Sequence, residues 1–174
     1  MAAFDESMRT PGVPVDEMNL VVPVPVWSDQ FALGHPQMDA THEEFLALLA
    51  KVLAADDSQM LDAVQELFRH TQGHFAQEDR WMEESAFPPR QCHMDEHAAV
   101  LQSLEDVLAI VAIGEPSEGR RIGQALAAWF PRHADYLDSA LSHWLCKCKF
   151  DARPVVFKRH LRHLDSASPK DSAA

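Results

Sequence analysis

Cysteine is scarce in this chain of 174 residues, and the three present, Cys92, Cys146 and Cys148, are too few and too odd in number to staple a disulfide fold. A reducing, cytoplasmic compartment is the corresponding expectation. No run of 18 apolar residues occurs, which excludes a helical membrane span. The first residues, Met1-Ala2-Ala3-Phe4-Asp5-Glu6, offer no basic stretch leading into an apolar one, which argues against a signal peptide. Basic charge is also short, with 15 Lys and Arg against 27 Asp and Glu and a net charge of −12. That balance disfavours a nucleic-acid binder. Alternating strand patterns are almost absent.

Histidine is abundant instead, with ten in the chain, beside 47% hydrophobic and 24% charged residues. Such a composition folds, and the length suits one domain with tails. Residues 1–26 contain Pro11, Pro14, Pro23 and Pro25 and no helical period. They read as an extended N-terminal arm, which Trp27 ends by packing down.

Four amphipathic segments follow over residues 27–149. The first runs from about 36 to 55, with Pro36 in its first turn and Phe45, Leu46, Leu48, Leu49, Val52 and Leu53 as its stripe. Asp57 or Ser58 is a natural cap for the second, which runs to about 85, where Pro88-Pro89 forces a break. The third runs from about 90 to 113, ended by Gly114 and Pro116. The fourth runs from about 117 to 149 and contains Pro131. Short connections make neighbours antiparallel, so the predicted fold is all-α, an up-down-up-down four-helix bundle. Residues 150–174 form a short basic tail. Beyond Cys146 there are seven basic residues against three acidic, leaving −16 for residues 1–146. An acidic protein partner, or the acidic bundle itself, is the expected neighbour of that tail.

Each predicted helix carries histidine. His74 and Glu78 are four apart, as are His93 and His97. Four positions return to within about 40° of one helical face, so each pair projects to one side, as metal ligands must. His42 on the first helix, and His133 with Asp138 on the fourth, complete a set of five imidazoles and two carboxylates. A lone histidine on an apolar face is more often a core residue than a ligand. A set spread over four facing helices is the pattern of a dinuclear site in a bundle core. Imidazole suits iron, zinc or copper, and carboxylates bridge two ions. With both carboxylates bridging and one bridging oxygen added, two octahedral ions keep one position open.

The segments Trp27…Gly34-His35-Pro36-Gln37-Met38-Asp39-Ala40-Thr41-His42, His74-Phe75-Ala76-Gln77-Glu78, His93-Met94-Asp95-Glu96-His97 and Trp129-x-x-x-His133-x-x-x-x-Asp138 resemble the hemerythrins, and within them the bacterial single-domain form. The resemblance spans about residues 27–145. It implies a four-helix bundle that binds O2 reversibly at a non-heme diiron centre with an oxo or hydroxo bridge. His93, His97 and His133 would hold one iron, and His42 and His74 the other. Glu78 and Asp138 would bridge, and the open position would lie on the two-histidine iron. The His133–Asp138 spacing is about 140° on an ideal helix. Asp138 is therefore assigned from the family motif and not from periodicity, and Asp135, at about 160°, fits worse.

Phe45, Phe75, Trp129 and Phe130 lie near ligand faces and are candidate walls of an O2 pocket, though ordinary core packing explains them equally. Ala134 follows His133 where the family often has Ile, and its small side chain predicts easier access and faster oxidation. Pro131 predicts a kink that shifts His133. His70, four before His74, suits a surface or buffering role. His35 suits a loop or helix cap, and His143, His160 and His163 are expected in solvent. Cys92 points away from its neighbour His93, and Cys146 and Cys148 read as reduced thiols at a helix end. The favoured function is a binding protein for O2 carriage, storage, delivery or sensing, not an enzyme. A diiron redox enzyme handling O2, peroxide or NO, or an iron buffer, is the alternative, and zinc hydrolysis is a weaker one.

Overall fold

A computed structural model of the chain describes residues 25–150 together with Pro23. The rest of the N-terminal arm and the tail from residue 151, with His160 and His163, lie outside the described residues. Helix α1 spans Pro36–Ala54, α2 Met60–Glu84, α3 Arg90–Ala112 and α4 Pro116–His133. A π-helical turn, Ala134–Asp138, then leads directly into α5, Ser139–Phe150. The helices form a ring in which α1 packs on α2, α2 on α3, α3 on α4, and α4 back on α1. No strand occurs among the described residues. The four-helix bundle is thus the observed fold, and no helix among the described residues is long and apolar enough to cross a membrane.

The helix ends have local causes. His35 caps α1 as expected, its Nδ1 accepting from the Met38 N–H at 3.3 Å. The Asp39 carboxylate accepts from the Leu33 and Gly34 backbone N–H groups at 2.7 and 3.1 Å, where Gly34 adopts φ +78°. The expected cap of α2 is corrected. Gln59 occupies the cap position without a side-chain bond, and the carboxylate of Asp56 instead accepts from the Ser58 and Gln59 N–H groups at 2.9 and 3.0 Å. Aspartate folding back on the amides two and three residues ahead is a turn that competes for the role of cap. Helix α2 ends in a Schellman arrangement: the Phe87 N–H donates to the Met82 carbonyl and the Ala86 N–H to that of Glu83. Ala86 takes the left-handed φ of 50° that glycine usually supplies. The same pattern closes α3 through Gly114.

The fourth predicted helix is the main departure. It is one helical path but not one α-helix, because the Ser139 N–H reaches back to the Ala134 carbonyl, five residues away. Pro131 is accommodated inside α4 just before this turn.

Two apolar clusters fill the bundle. The larger includes Phe45, Leu49, Met60, Leu67, Leu104 and Phe130, with Trp27 and Trp129 against its edge. Trp27 stacks on Phe31 with ring centroids 6.4 Å apart, as its predicted packing requires. The smaller cluster joins Met38, Met82, Phe87 and Leu141. Burying each large side chain contributes roughly 1.5–3 kcal/mol. Between the two clusters lies a layer of polar residues: His42 separates Met38 from Phe45 on α1, and His74 and Glu78 separate Leu67 from Met82 on α2.

Close packing of α4 depends on absent side chains. A Cβ on Gly119 would fall on the buried Met60 side chain, whereas one on Gly73 of α2 would meet nothing. Thermal unfolding therefore separates the two. Gly119→Val destabilises by about 1–3 kcal/mol through overpacking. Gly73→Ala stabilises by roughly 0.5–1 kcal/mol through chain entropy.

Candidate metal centre

All seven ligand positions expected from the sequence are brought together, and all are buried. His42 comes from α1, His74 and Glu78 from α2, His93 and His97 from α3, His133 from the end of α4, and Asp138 from the π-turn. The donor atoms fall into two groups. One contains Glu78, His93, His97, His133 and Asp138, and the other His42, His74 and Glu78. Glu78 belongs to both. Asp138 spans them as well, with Oδ1 at 3.1 Å from His93 Nε2 and 3.2 Å from His133 Nε2, and Oδ2 at 3.3 Å from His42 Nε2. The two oxygens of Glu78 divide similarly: Oε1 lies 3.0 Å from His74 Nε2, and Oε2 lies 3.5 Å from His97 Nε2.

The π-turn resolves the spacing of His133 and Asp138. On an α-helix, five residues leave two side chains about 140° apart. The i→i+5 turn adds one residue to the circuit and returns Asp138 to the side of His133. Such turns concentrate at functional sites. Pro131 does not displace His133 from the group.

The donor set fits a metal. His42 Nε2, His97 Nε2, Glu78 Oε2 and both oxygens of Asp138 are buried without hydrogen-bond geometry to any partner, although opposite charges lie within 3.7 Å. Leaving that many buried polar atoms unpaired is strongly unfavourable, and cations at their focus remove the deficit. Every imidazole turns Nε2 inward, as ligation requires.

The remaining surroundings are aromatic. Phe75 stacks on His97 at 3.8 Å with 3° between planes. Phe130 meets His42 edge-on at 5.2 Å, and Phe45 lies 5.1 Å from Phe130 and 6.4 Å from His74. Of the five candidate wall residues, Phe45 and Phe130 thus stand on the His42–His74 side, and Phe75 lies between the two sides, 5.3 Å from the His74 ring and stacked on His97. Trp129 stands elsewhere, 4.3 Å from the His133 ring, with its indole N–H donating to Glu96 at 2.8 Å. Ala134 is buried beside them in the larger cluster. His70 stays outside the group, half-buried and 3.2 Å from the Thr41 carbonyl. His143 and all three cysteines are exposed. Two participants were not legible in the sequence. Asp79 lies 2.8 Å from His97 Nδ1, and Glu96 lies 3.1 Å from His133 Nδ1. A single sequence puts a carboxylate beside each ligand helix but does not say which imidazole it reaches.

Stripped of metal, the site balances its charges with protons. Burial works to lower the pKa of His42, but Asp138 and Glu78 outweigh it and push it up to about 9. Burial likewise opposes the charged form of His97, and Asp79 and Glu78 push it up to about 9. Burial and Asp138 would raise Glu78, yet His42, His74 and His97 hold it well below the usual carboxylate range. Because both imidazole pKa values exceed the ordinary 6.5, the stability they contribute is full below about 6.5 and lost as pH rises toward about 9. Metal must displace those protons. Calorimetric titration of the stripped chain at pH 7, repeated in buffers of different ionisation enthalpy, is expected to show about two protons released per chain, one each from His42 and His97.

Comparison with known proteins agrees with this geometry. Residues 33–145 match the family model described as the hemerythrin HHE cation binding domain. The chain is 38% identical over 132 residues to a bacteriohemerythrin of Ralstonia nicotianae (strain ATCC BAA-1114 / GMI1000), covering 76% of this chain and 96% of that protein. It is 27% identical over 122 residues to a myohemerythrin of Riftia pachyptila, covering 70% of this chain and 94% of the relative. No solved structure matches. Four helices that bring five imidazoles and two carboxylates to one buried layer, together with a match across that whole layer, place this chain in the hemerythrin family.

Proposed function

We propose that the chain binds O2 reversibly at a non-heme diiron centre, for carriage, storage, delivery or sensing, and that it is not an enzyme. In this reading His93, His97 and His133 hold one iron, His42 and His74 hold the other, and Glu78 and Asp138 bridge them. The observation that carries it is the donor ratio: five buried imidazoles converge with only two buried carboxylates. Ferritin-like dinuclear centres draw four glutamates and two histidines from the same kind of bundle. Neutral ligands in place of anionic ones favour the reduced ions and so favour release over oxidation of what is bound. Two ferrous ions so held supply the reversible binding of O2.

The protein's own part is exclusion and orientation. Phe45 and Phe130 cover the His42–His74 side, where the family resemblance puts the open position. They keep water and protons from that side. The Phe75 ring lies flat on His97 and fixes its plane. The visible spectrum of the purified chain, taken with a metal count and cycled between anaerobic and oxygenated buffer, tests the reading. A band that appears with O2 and fades on its removal, at two irons per chain, is the expected result. Direct passage to a stable ferric spectrum favours a redox enzyme acting on O2, peroxide or NO. Zinc in place of iron, with no band, overturns the proposal. Ala134→Ile, which enlarges a buried side chain next to His133 at an overpacking cost of about 1–3 kcal/mol in stability, is expected to slow autoxidation. An unchanged autoxidation rate shows that Ala134 does not control access.

A further inference from the structure

The two halves of the centre are not supported alike. A neutral imidazole that offers Nε2 to a metal carries its proton on Nδ1, and that N–H then needs an acceptor. On the three-imidazole side, two of the rings have one. Asp79 Oδ1 lies 2.8 Å from His97 Nδ1, and Glu96 Oε1 lies 3.1 Å from His133 Nδ1. Glu96 is held in turn by the Trp129 indole N–H at 2.8 Å on the same oxygen. On the two-imidazole side neither ring has an acceptor, for Nδ1 of His42 and Nδ1 of His74 are both buried without a partner. His93 Nδ1 is also without one.

The acceptors act across helices. Asp79 adjoins Glu78 on α2, so α2 places a carboxylate near each ring nitrogen of His97 on α3, Asp79 within hydrogen-bond distance of Nδ1 and Glu78 3.5 Å from Nε2. Glu96 on α3 and Trp129 on α4 together fix the plane of His133. A carboxylate behind a ligating imidazole fixes its tautomer and makes it a stronger donor.

We infer that Asp79 and Glu96 are positioning residues that make the His93–His97–His133 position the tighter metal site and leave the His42–His74 position the exchangeable one. The inference rests on the diiron reading. It implies stepwise loading, with the three-imidazole position filled first, and metal exchange confined to the side with the smaller donor group.

The test uses the full chain loaded anaerobically with ferrous iron and mixed with excess coloured iron(II) chelator. Wild type is expected to release one ion per chain in a fast phase and one in a slow phase. Glu96→Gln and Asp79→Asn accelerate the slow phase by about 10–100-fold and leave the fast phase unchanged. Trp129→Phe, which removes the N–H that steadies Glu96 together with part of the ring packed on His133, accelerates the slow phase to a smaller degree. Asp95→Asn, at an exposed carboxylate on α3 bonded to Gln91, leaves both phases as in wild type. The metal-free variants are expected to keep the wild-type helical content by circular dichroism, since Glu96 and Asp79 are partly exposed and lie outside both apolar clusters. Two bound ions released in a single phase, or variants that change neither phase or both alike, overturn this inference alone. A wild-type chain that takes up no iron overturns the diiron reading and this inference with it.

Discussion

The fold is organised around a charge problem. Two carboxylates, Glu78 and Asp138, sit fully buried in the middle of the bundle. Taking an anion out of water is among the costliest steps in folding, and it is tolerated only where cations or strong donors surround the group. The chain meets this with five imidazoles drawn from four helices, all turning Nε2 toward the carboxylates. Protons on His42 and His97 are one way to neutralise the layer, and metal ions are the other. The same set of side chains therefore reads as a proton-balanced core or as a ligand sphere, and the orphaned carboxylate oxygens favour the second.

Much of this was legible in the residues because two periods coincide. Apolar positions and ligand positions on α1, α2 and α3 follow the same 3.6-residue repeat, so the pattern that identifies each helix also identifies its inward histidines. Helix breaks were legible for a similar reason, since Pro88-Pro89 and Gly114 act locally. What failed was the assumption that the period is constant. His133 and Asp138 look mismatched only on an α-helix, and a π-turn cannot be foreseen from residues that are ordinary helix formers. The cap of α2 was missed by one local competition, Asp56 accepting from the Ser58 and Gln59 amides where a cap at Asp57 or Ser58 was expected. Asp79 and Glu96 were missed because their role depends on which neighbouring helix they face.

Pro131 and the π-turn lie on the same helical path, one after the other. A proline inside a helix has no N–H to give the carbonyl four residues earlier, so the bond missing here is the one to Ala127, one turn before Pro131. The extra residue of the π-turn is taken up on the other side of Pro131, between Phe130 and Leu141. Both residues remain fully buried, so the apolar phase of the helix is preserved above and below the site while the polar layer between them is re-aimed. Irregularity is confined to the place where it moves a ligand.

The position of the polar layer between two apolar clusters bears on how metal and folding are linked. Small metal domains with little core fold only when the ion binds. Here the larger cluster alone buries Phe45, Leu49, Val52, Met60, Val64, Leu67, Leu104 and Phe130, and these contacts do not pass through the ligand layer. At roughly 1.5–3 kcal/mol for each large side chain, that cluster supplies a cohesive term independent of the metal. Ion binding then adds stability by mass action to a bundle already formed. A preformed bundle also presents its donors in place, so the ions meet an arrangement fixed by packing rather than one they must assemble.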